Sequence, residues 1–99
     1  MRKSKGRIFI TGVAGFIGSN LAKALLRKGY QVVGLDNLSQ GQWRNIAELL
    51  PNSRFSFVKG DVRSKKTVER LTKGVSCVVH LAAYKIPRYG NSLDTLMIN

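Results

Sequence analysis

The 99 residues carry 17 Lys and Arg against 5 Asp and Glu, a formal net charge of +12, with 43% hydrophobic residues and a mean hydropathy of −0.10. Such a chain holds one small domain at most, and it is apolar enough to pack a core, which excludes a highly charged disordered segment. A single cysteine excludes an intrachain disulfide framework and favours a reducing compartment, so the expected location is cytoplasmic.

Residues 7–11 (RIFIT) are a short apolar, β-branched run behind a basic tail and predict a buried strand. The basic and then apolar opening imitates a secretion signal, but Gly12, Gly15 and Gly18 punctuate its apolar part. No run approaches the ~20 apolar residues of a spanning helix, so neither a signal nor a membrane segment is expected. From Phe16 the period changes. Ile17, Leu21, Ala24 and Leu25 make one helical stripe, Arg27 and Lys28 sit where the helix dipole favours cations, and Gly29 supplies the stop.

Residues 31–35 (QVVGL) predict a second strand, closed by the turn-prone DNLSQG of residues 36–41. Trp43, Ile46, Ala47, Leu49 and Leu50 predict a short helix ending at Pro51, and residues 54–58 (RFSFV) a third strand. Ser64 begins another helix, with Val68 and Leu71 on its apolar face and Gly74 at its end, before a fourth strand at residues 75–81 (VSCVVHL). Leu93, Leu96 and Met97 recur at helical spacing and predict that residues 91–99 open one more helix. Strands alternating with helices at this spacing predict an α/β fold with right-handed crossovers and a parallel sheet covered on both faces, not a repeat protein or a bundle.

The charge raises the question of a polyanionic partner. Arg2, Lys3, Lys5 and Arg7 lie in the first seven residues, and Arg63, Lys65, Lys66, Arg70 and Lys73 in one short stretch. Aromatic residues are few, and zinc-finger, RNP-type and KH-type signatures are absent. A solvated basic face is the favoured reading and specific nucleic-acid recognition the minor one.

The chemistry concentrates where strands end. Gly12, Gly15 and Gly18 follow the first strand with spacings of three and three. Each has a task in holding a pyrophosphate: the first permits a tight turn, the second a close backbone approach, the third close packing of helix on strand. The helix N-terminus then offers N–H groups and a positive dipole end to phosphates. Turn glycines without a ligand are common, so the context matters: strand before, helix after, and an acidic residue beyond the next strand. Asp36, 24 residues past Gly12, meets the last condition. Its carboxylate suits an adenosine ribose and repels a 2′-phosphate, favouring NAD over NADP, the alternative being an aspartate that only caps a turn.

Four segments in order, TGVAGFIGSNLAKALL, GLDNLSQG, KGDVRS and VVHLAAYK, resemble the N-terminal half of the extended short-chain dehydrogenase/reductase superfamily, especially its nucleotide-sugar epimerases and dehydratases. DNLS-G followed by RN, and the later IPR, are similar to the UDP-glucose 4-epimerase-like branch. The resemblance implies a Rossmann-type doubly wound parallel sheet, N-terminal half only, with strand order 3-2-1-4, and residues 1–99 as an NAD-binding half-domain whose full-length protein acts on a nucleotide sugar. It implies that Gly12, Gly15, Phe16 and Ile17 hold the pyrophosphate, that Asp36, Asn37, Ser39 and Gly41 surround the adenosine ribose and phosphates, and that Asp61 with Val62 contacts the adenine. Helix capping is the competing role for Asp61. Leu81, Ala82 and Ala83 would line the cofactor's path, with Lys85 beside the nicotinamide ribose and Asn99 near the same end.

Cys77 reads as a buried structural thiol, His80 as a hydrogen-bonded packing residue rather than a ligand, and Trp43 and Tyr84 as packing or pocket-wall residues; no metal site is expected. The superfamily's chemistry, as the resemblance implies it, needs a tyrosine with a lysine four residues later. Here Tyr30 is followed at that spacing by Gly34, Tyr84 by Arg88 and Tyr89 by Leu93. No catalytic residue is assigned, and the chain is expected to be a fragment carrying the cofactor half, inactive alone, whose parent is a UDP-sugar 4-epimerase. The competing hypothesis is a noncatalytic NAD-sensing or nucleic-acid-binding module. With no fifth strand expected, the fourth would lie bare at a sheet edge and invite self-association.

Overall fold

A computed structural model describes residues 5–82 and 97–98. Five parallel strands, β1 (Arg7–Thr11), β2 (Gln31–Asp36), β3 (Phe55–Lys59), β4 (Cys77–His80) and β5 (Met97–Ile98), lie in the order β3-β2-β1-β4-β5. Three helices, α1 (Phe16–Arg27), α2 (Trp43–Ala47) and α3 (Lys65–Thr72), connect the first four strands. The expected 3-2-1-4 order is present, with β1 paired to β2 on one side (Ile8 with Val32, Ile10 with Gly34) and to β4 on the other (Phe9 with Val78, Thr11 with His80).

Because β1 is central and helices cover both faces, its residues Ile8 to Thr11 are all buried, which is why the segment reads as a continuous apolar run instead of an alternation. The pleat sorts them. Ile8 and Ile10 join Ala22, Leu26, Val32, Ile46 and Leu49 in one core under α1 and α2, while Phe9 joins Leu35, Val68, Leu71 and Val78 in a second under α3. Phe9 is fully buried, and truncating it to alanine costs about 3–5 kcal/mol.

The helix ends follow local chemistry. Gly29, at φ 98°, lets its N–H donate to the Leu26 carbonyl while the N–H of Tyr30 donates to that of Leu25, closing α1 with a Schellman motif. The Ser64 hydroxyl accepts from the Thr67 N–H at 3.3 Å and caps α3.

Three expectations are corrected. The buried face of α1 is Gly18, Ser19, Ala22 and Leu26, and Ile17 is 67% exposed, because small residues are needed where this helix crosses the β1 turn and the first helical turn overhangs its edge. The predicted second helix ends at Ala47 and gives way to turns through Pro51, which leaves Leu50 exposed; a proline disfavours helical geometry in the residue before it. Met97 and Ile98 are strand, not helix, and pair with Val78 and Val79, so a fifth strand does border β4 there and the stated reason for self-association through that edge falls. A short apolar run suits either period, and sheet pairing decided this one. The remaining residues of that predicted helix lie outside the described ones.

Candidate functional site

The carboxyl end of β1 is flanked by the ends of β2 and β4: the N–H of Gly12 donates to the Leu35 carbonyl at 2.8 Å and the N–H of Leu81 to the Thr11 carbonyl at 3.1 Å. The crossovers to β2 and to β4 lie on opposite faces of the sheet, so this end is a topological switch point, where open α/β sheets place their ligands. The cleft found there is lined by Gly12, Gly15, Leu35, Asp36, Asn37, Ser39, Gln40, Gly41, Gly60, Val62, Leu81 and Ala82.

The glycine turn works through space as well as torsion. Gly12 has φ 73°, and a Cβ on it would stand 2.9 Å from Ala82 N and from the Leu81 carbonyl carbon. A Cβ on Gly18 would stand 2.3 Å from the Gly12 carbonyl oxygen, so only glycine lets α1 start against the turn. Gly15 is the N-cap, with no side-chain cap and no acidic residue in the first turn. The first intrahelical bond runs from the Ser19 N–H to the Gly15 carbonyl, which leaves the N–H groups of Phe16, Ile17 and Gly18 without an acceptor inside the helix. An anion is the natural partner for such an end.

Asp36 closes β2 and is 9% exposed. One carboxylate oxygen accepts from the Ala14 N–H at 2.9 Å and the other from the Leu38 N–H at 2.8 Å, so the residue locks the glycine turn to the β2 loop. Turn capping is thus real, and it does not exhaust a carboxylate, which can accept about four hydrogen bonds. Leu38 takes the left-handed region at φ 64° to make its bond.

Ala14 is the hub the sequence did not disclose. Its carbonyl accepts from the Gln42 N–H at 3.0 Å and from Asn45 Nδ2 at 2.8 Å, drawing the 37–42 loop and the start of α2 over the turn. Gly41 packs on it so closely that a Cβ would meet Ala14 Cβ at 2.8 Å and an Asp36 carboxylate oxygen at 2.9 Å. Asn37 accepts from the Ser39 N–H at 2.9 Å.

Of the expected site residues, Gly12, Gly15, Asp36, Asn37, Ser39, Gly41, Val62, Leu81 and Ala82 border the cleft, joined by the unforeseen Leu35, Gln40 and Gly60. Phe16 and Ile17 begin α1 with side chains 78% and 67% exposed. Asp61 does not line the cleft: its carboxylate grips Arg63, with the guanidinium Nη2 at 2.8 Å and the Arg63 N–H at 2.8 Å. The side-chain hydrogen bond from Arg63, then the backbone one, holds that carboxyl below the usual aspartate range. Nor does Asp61 cap α3, since Ser64 does. Ala83, Lys85 and Asn99 lie outside the described residues, as does Tyr84.

Among the residues read as structural, Cys77 is half-buried on β4 and His80 is 3% exposed and bonded to Thr11. Trp43 packs edge-on against Phe57 with ring centroids 5.6 Å apart. Among the described residues no three His, Cys, Asp or Glu side chains group to hold a metal ion, and no helix is long and apolar enough to cross a membrane.

A switch-point cleft with a bare glycine turn on one side and an acidic residue ending the next strand defines the dinucleotide-binding class of doubly wound α/β domains. Residues 8–99 match the model of the NAD dependent epimerase/dehydratase family, and the chain belongs to that family. A curated relative, the UDP-glucose 4-epimerase of Mycolicibacterium smegmatis, is 48% identical over 56 residues, 57% of this chain and 18% of that one. The solved UDP-glucose 4-epimerase of Thermotoga maritima, which holds UDP-glucose, aligns with TM-score 0.67 and 35% identity over 78% of this chain and 24% of that one. The dTDP-glucose 4,6-dehydratase of Bacillus anthracis, in complex with NAD, aligns with TM-score 0.75 and 32% identity over 83% of this chain and 28% of that one. The chain thus spans about a fifth to a quarter of the length of the relatives it matches.

Proposed function

We propose that residues 1–99 form the NAD-binding half-domain of a nucleotide-sugar epimerase or dehydratase, and that the reaction of the whole protein is 4-epimerisation of a UDP-sugar. The observation that carries the cofactor is the buried Asp36 carboxylate at the cleft, with acceptor capacity left after its two backbone bonds. Structural neighbours that hold NAD support it. The N–H groups of Phe16 and Ile17 hold the pyrophosphate, Asp36 accepts from the adenosine ribose, and Val62, Leu81 and Ala82 exclude water from the faces of the bound dinucleotide. When bound, NAD supplies a hydride acceptor that can later return the hydride. This chain's part is binding and orientation, since none of its tyrosines has a lysine four residues on to manage the sugar hydroxyl proton. The 99 residues alone therefore turn over no sugar nucleotide.

Similarity to UDP-glucose 4-epimerases favours epimerisation, and the chain's basic helix α3 and its C-cap, with Lys65, Lys66, Arg70 and Lys73 exposed, serve as a solvated face. Titration of the 15N-labelled protein with NAD tests the reading. Amide shifts concentrated at Gly15 to Gly18 and at 37–41 support it, and shifts confined to α3 contradict it.

A further inference from the structure

Thr11 and His80 end adjacent strands and meet inside the sheet, fully buried and 3% exposed respectively. Thr11 Oγ1 lies 2.6 Å from His80 Nδ1, and the same oxygen accepts from the Leu81 N–H at 3.0 Å and the Ala82 N–H at 3.2 Å. A threonine hydroxyl has one proton and two lone pairs. Two amides point at that oxygen, the Leu81 N–H being shared with the Thr11 carbonyl at 3.1 Å, which leaves the hydroxyl proton to His80 Nδ1 as acceptor. In that arrangement the ring carries its proton on Nε2.

The Leu81–Ala82 peptide so held is the part of β4's exit that lines the cleft, and it lies over the glycine turn: the position of a Gly12 Cβ is 2.9 Å from both Ala82 N and the Leu81 carbonyl carbon. Within that tolerance the peptide can neither sink toward Gly12 nor turn the Ala82 N–H outward without losing its bond to Thr11.

We propose that His80 is a positioning residue for the cofactor: by taking the Thr11 hydroxyl proton it aims both oxygen lone pairs at the Leu81 and Ala82 amides and so fixes the cleft wall. This rests on the reading of the cleft as the dinucleotide site. Removing the acceptor frees the hydroxyl proton to compete with those amides, and the wall loses its register while the sheet ladder of β1 and β4 persists. The cost falls on affinity for the dinucleotide more than on folding.

The test combines calorimetric titration of NAD with 15N spectroscopy of the histidine. The wild-type His80 resonance should show a bare Nδ1 and a protonated Nε2. His80→Leu, with no acceptor, should weaken NAD binding about tenfold, a difference of about 1.4 kcal/mol. His80→Asn, whose side-chain carbonyl can take the hydroxyl proton, should restore most of the loss, a rescue that packing alone would not give. Should His80→Leu fail to fold, the wild-type tautomer and the affinity of His80→Asn still decide. Undiminished NAD affinity in folded His80→Leu, or a proton on Nδ1, overturns the proposal and leaves the cofactor reading standing. No NAD binding by the wild type overturns both.

Discussion

Asp36 and Asp61 stand just past the apolar runs of neighbouring parallel strands, and the two carboxylates have opposite surroundings. Asp36 is buried, and its oxygens hold the backbone of Ala14 and Leu38. Asp61 is only half-buried and spends its charge on Arg63 two residues along. A carboxylate that organises buried backbone is coupled to the turn it braces, so changing it moves everything around it. An exposed ion pair two residues apart touches little else and is worth little. The difference shows which end of the cleft is built rigid: the glycine turn, the 37–42 loop and the start of α2, not the entry to α3.

The largest effect that can break this contrast lies in the rigid half. Gly18→Ala places a methyl 2.3 Å from the Gly12 carbonyl oxygen, a backbone atom that cannot swing aside, and should cost about 3 kcal/mol in denaturant unfolding and abolish NAD binding. A change under 1 kcal/mol would mean the turn is looser than described. Asp36→Ala comes next. It leaves the N–H groups of Ala14 and Leu38 without their acceptor, about 1–3 kcal/mol each, and Asp36→Asn should recover part of that because it keeps one acceptor oxygen. Equal stabilities of the two variants by thermal unfolding would show that the amides find water instead.

Asn45→Ala removes one of two donors to the Ala14 carbonyl and should cost about 1 kcal/mol, the Gln42 N–H remaining. Smallest is Arg63→Ala. It should raise the Asp61 carboxyl toward its ordinary value, read as a later midpoint in an NMR titration, with almost no change in stability near neutrality. The sign follows from the depressed carboxyl. Whatever the pair contributes is present above the unfolded aspartate's range and is lost as pH falls through the lowered folded one, so the variant should lose its acid-side slope only there. A drop in stability at neutral pH comparable to that of Asp36→Ala would erase the contrast.

How much of this could be read from the residues alone depends on the range of each interaction. The bounds of β1 were legible because a central strand buried on both faces leaves a continuous apolar run, and the stop of α1 because Gly29 is local chemistry. The glycine spacing and Asp36 placed the cleft. Ala14, Asn45 and the Thr11–His80 pair were not legible as a set: an alanine has no functional side chain to notice, and Thr11 meets its partner 69 residues away. Ile17 was misplaced because its helical spacing continues the stripe of Leu21 and Leu25 onto the first turn of α1, where its side chain is 67% exposed. The grip of Arg63 on Asp61, two residues apart, carries no periodic signature in the sequence.

The proposed role of the buried Asp36 is to make this cleft a site for NAD and not for its 2′-phosphorylated counterpart. Calorimetric titration of the protein with NAD and with NADP, repeated on Asp36→Asn, tests it most directly. The account predicts at least a tenfold preference for NAD, about 1.4 kcal/mol, that shrinks in the variant as the negative charge is removed. Equal affinities for the two dinucleotides in the unaltered protein would contradict it.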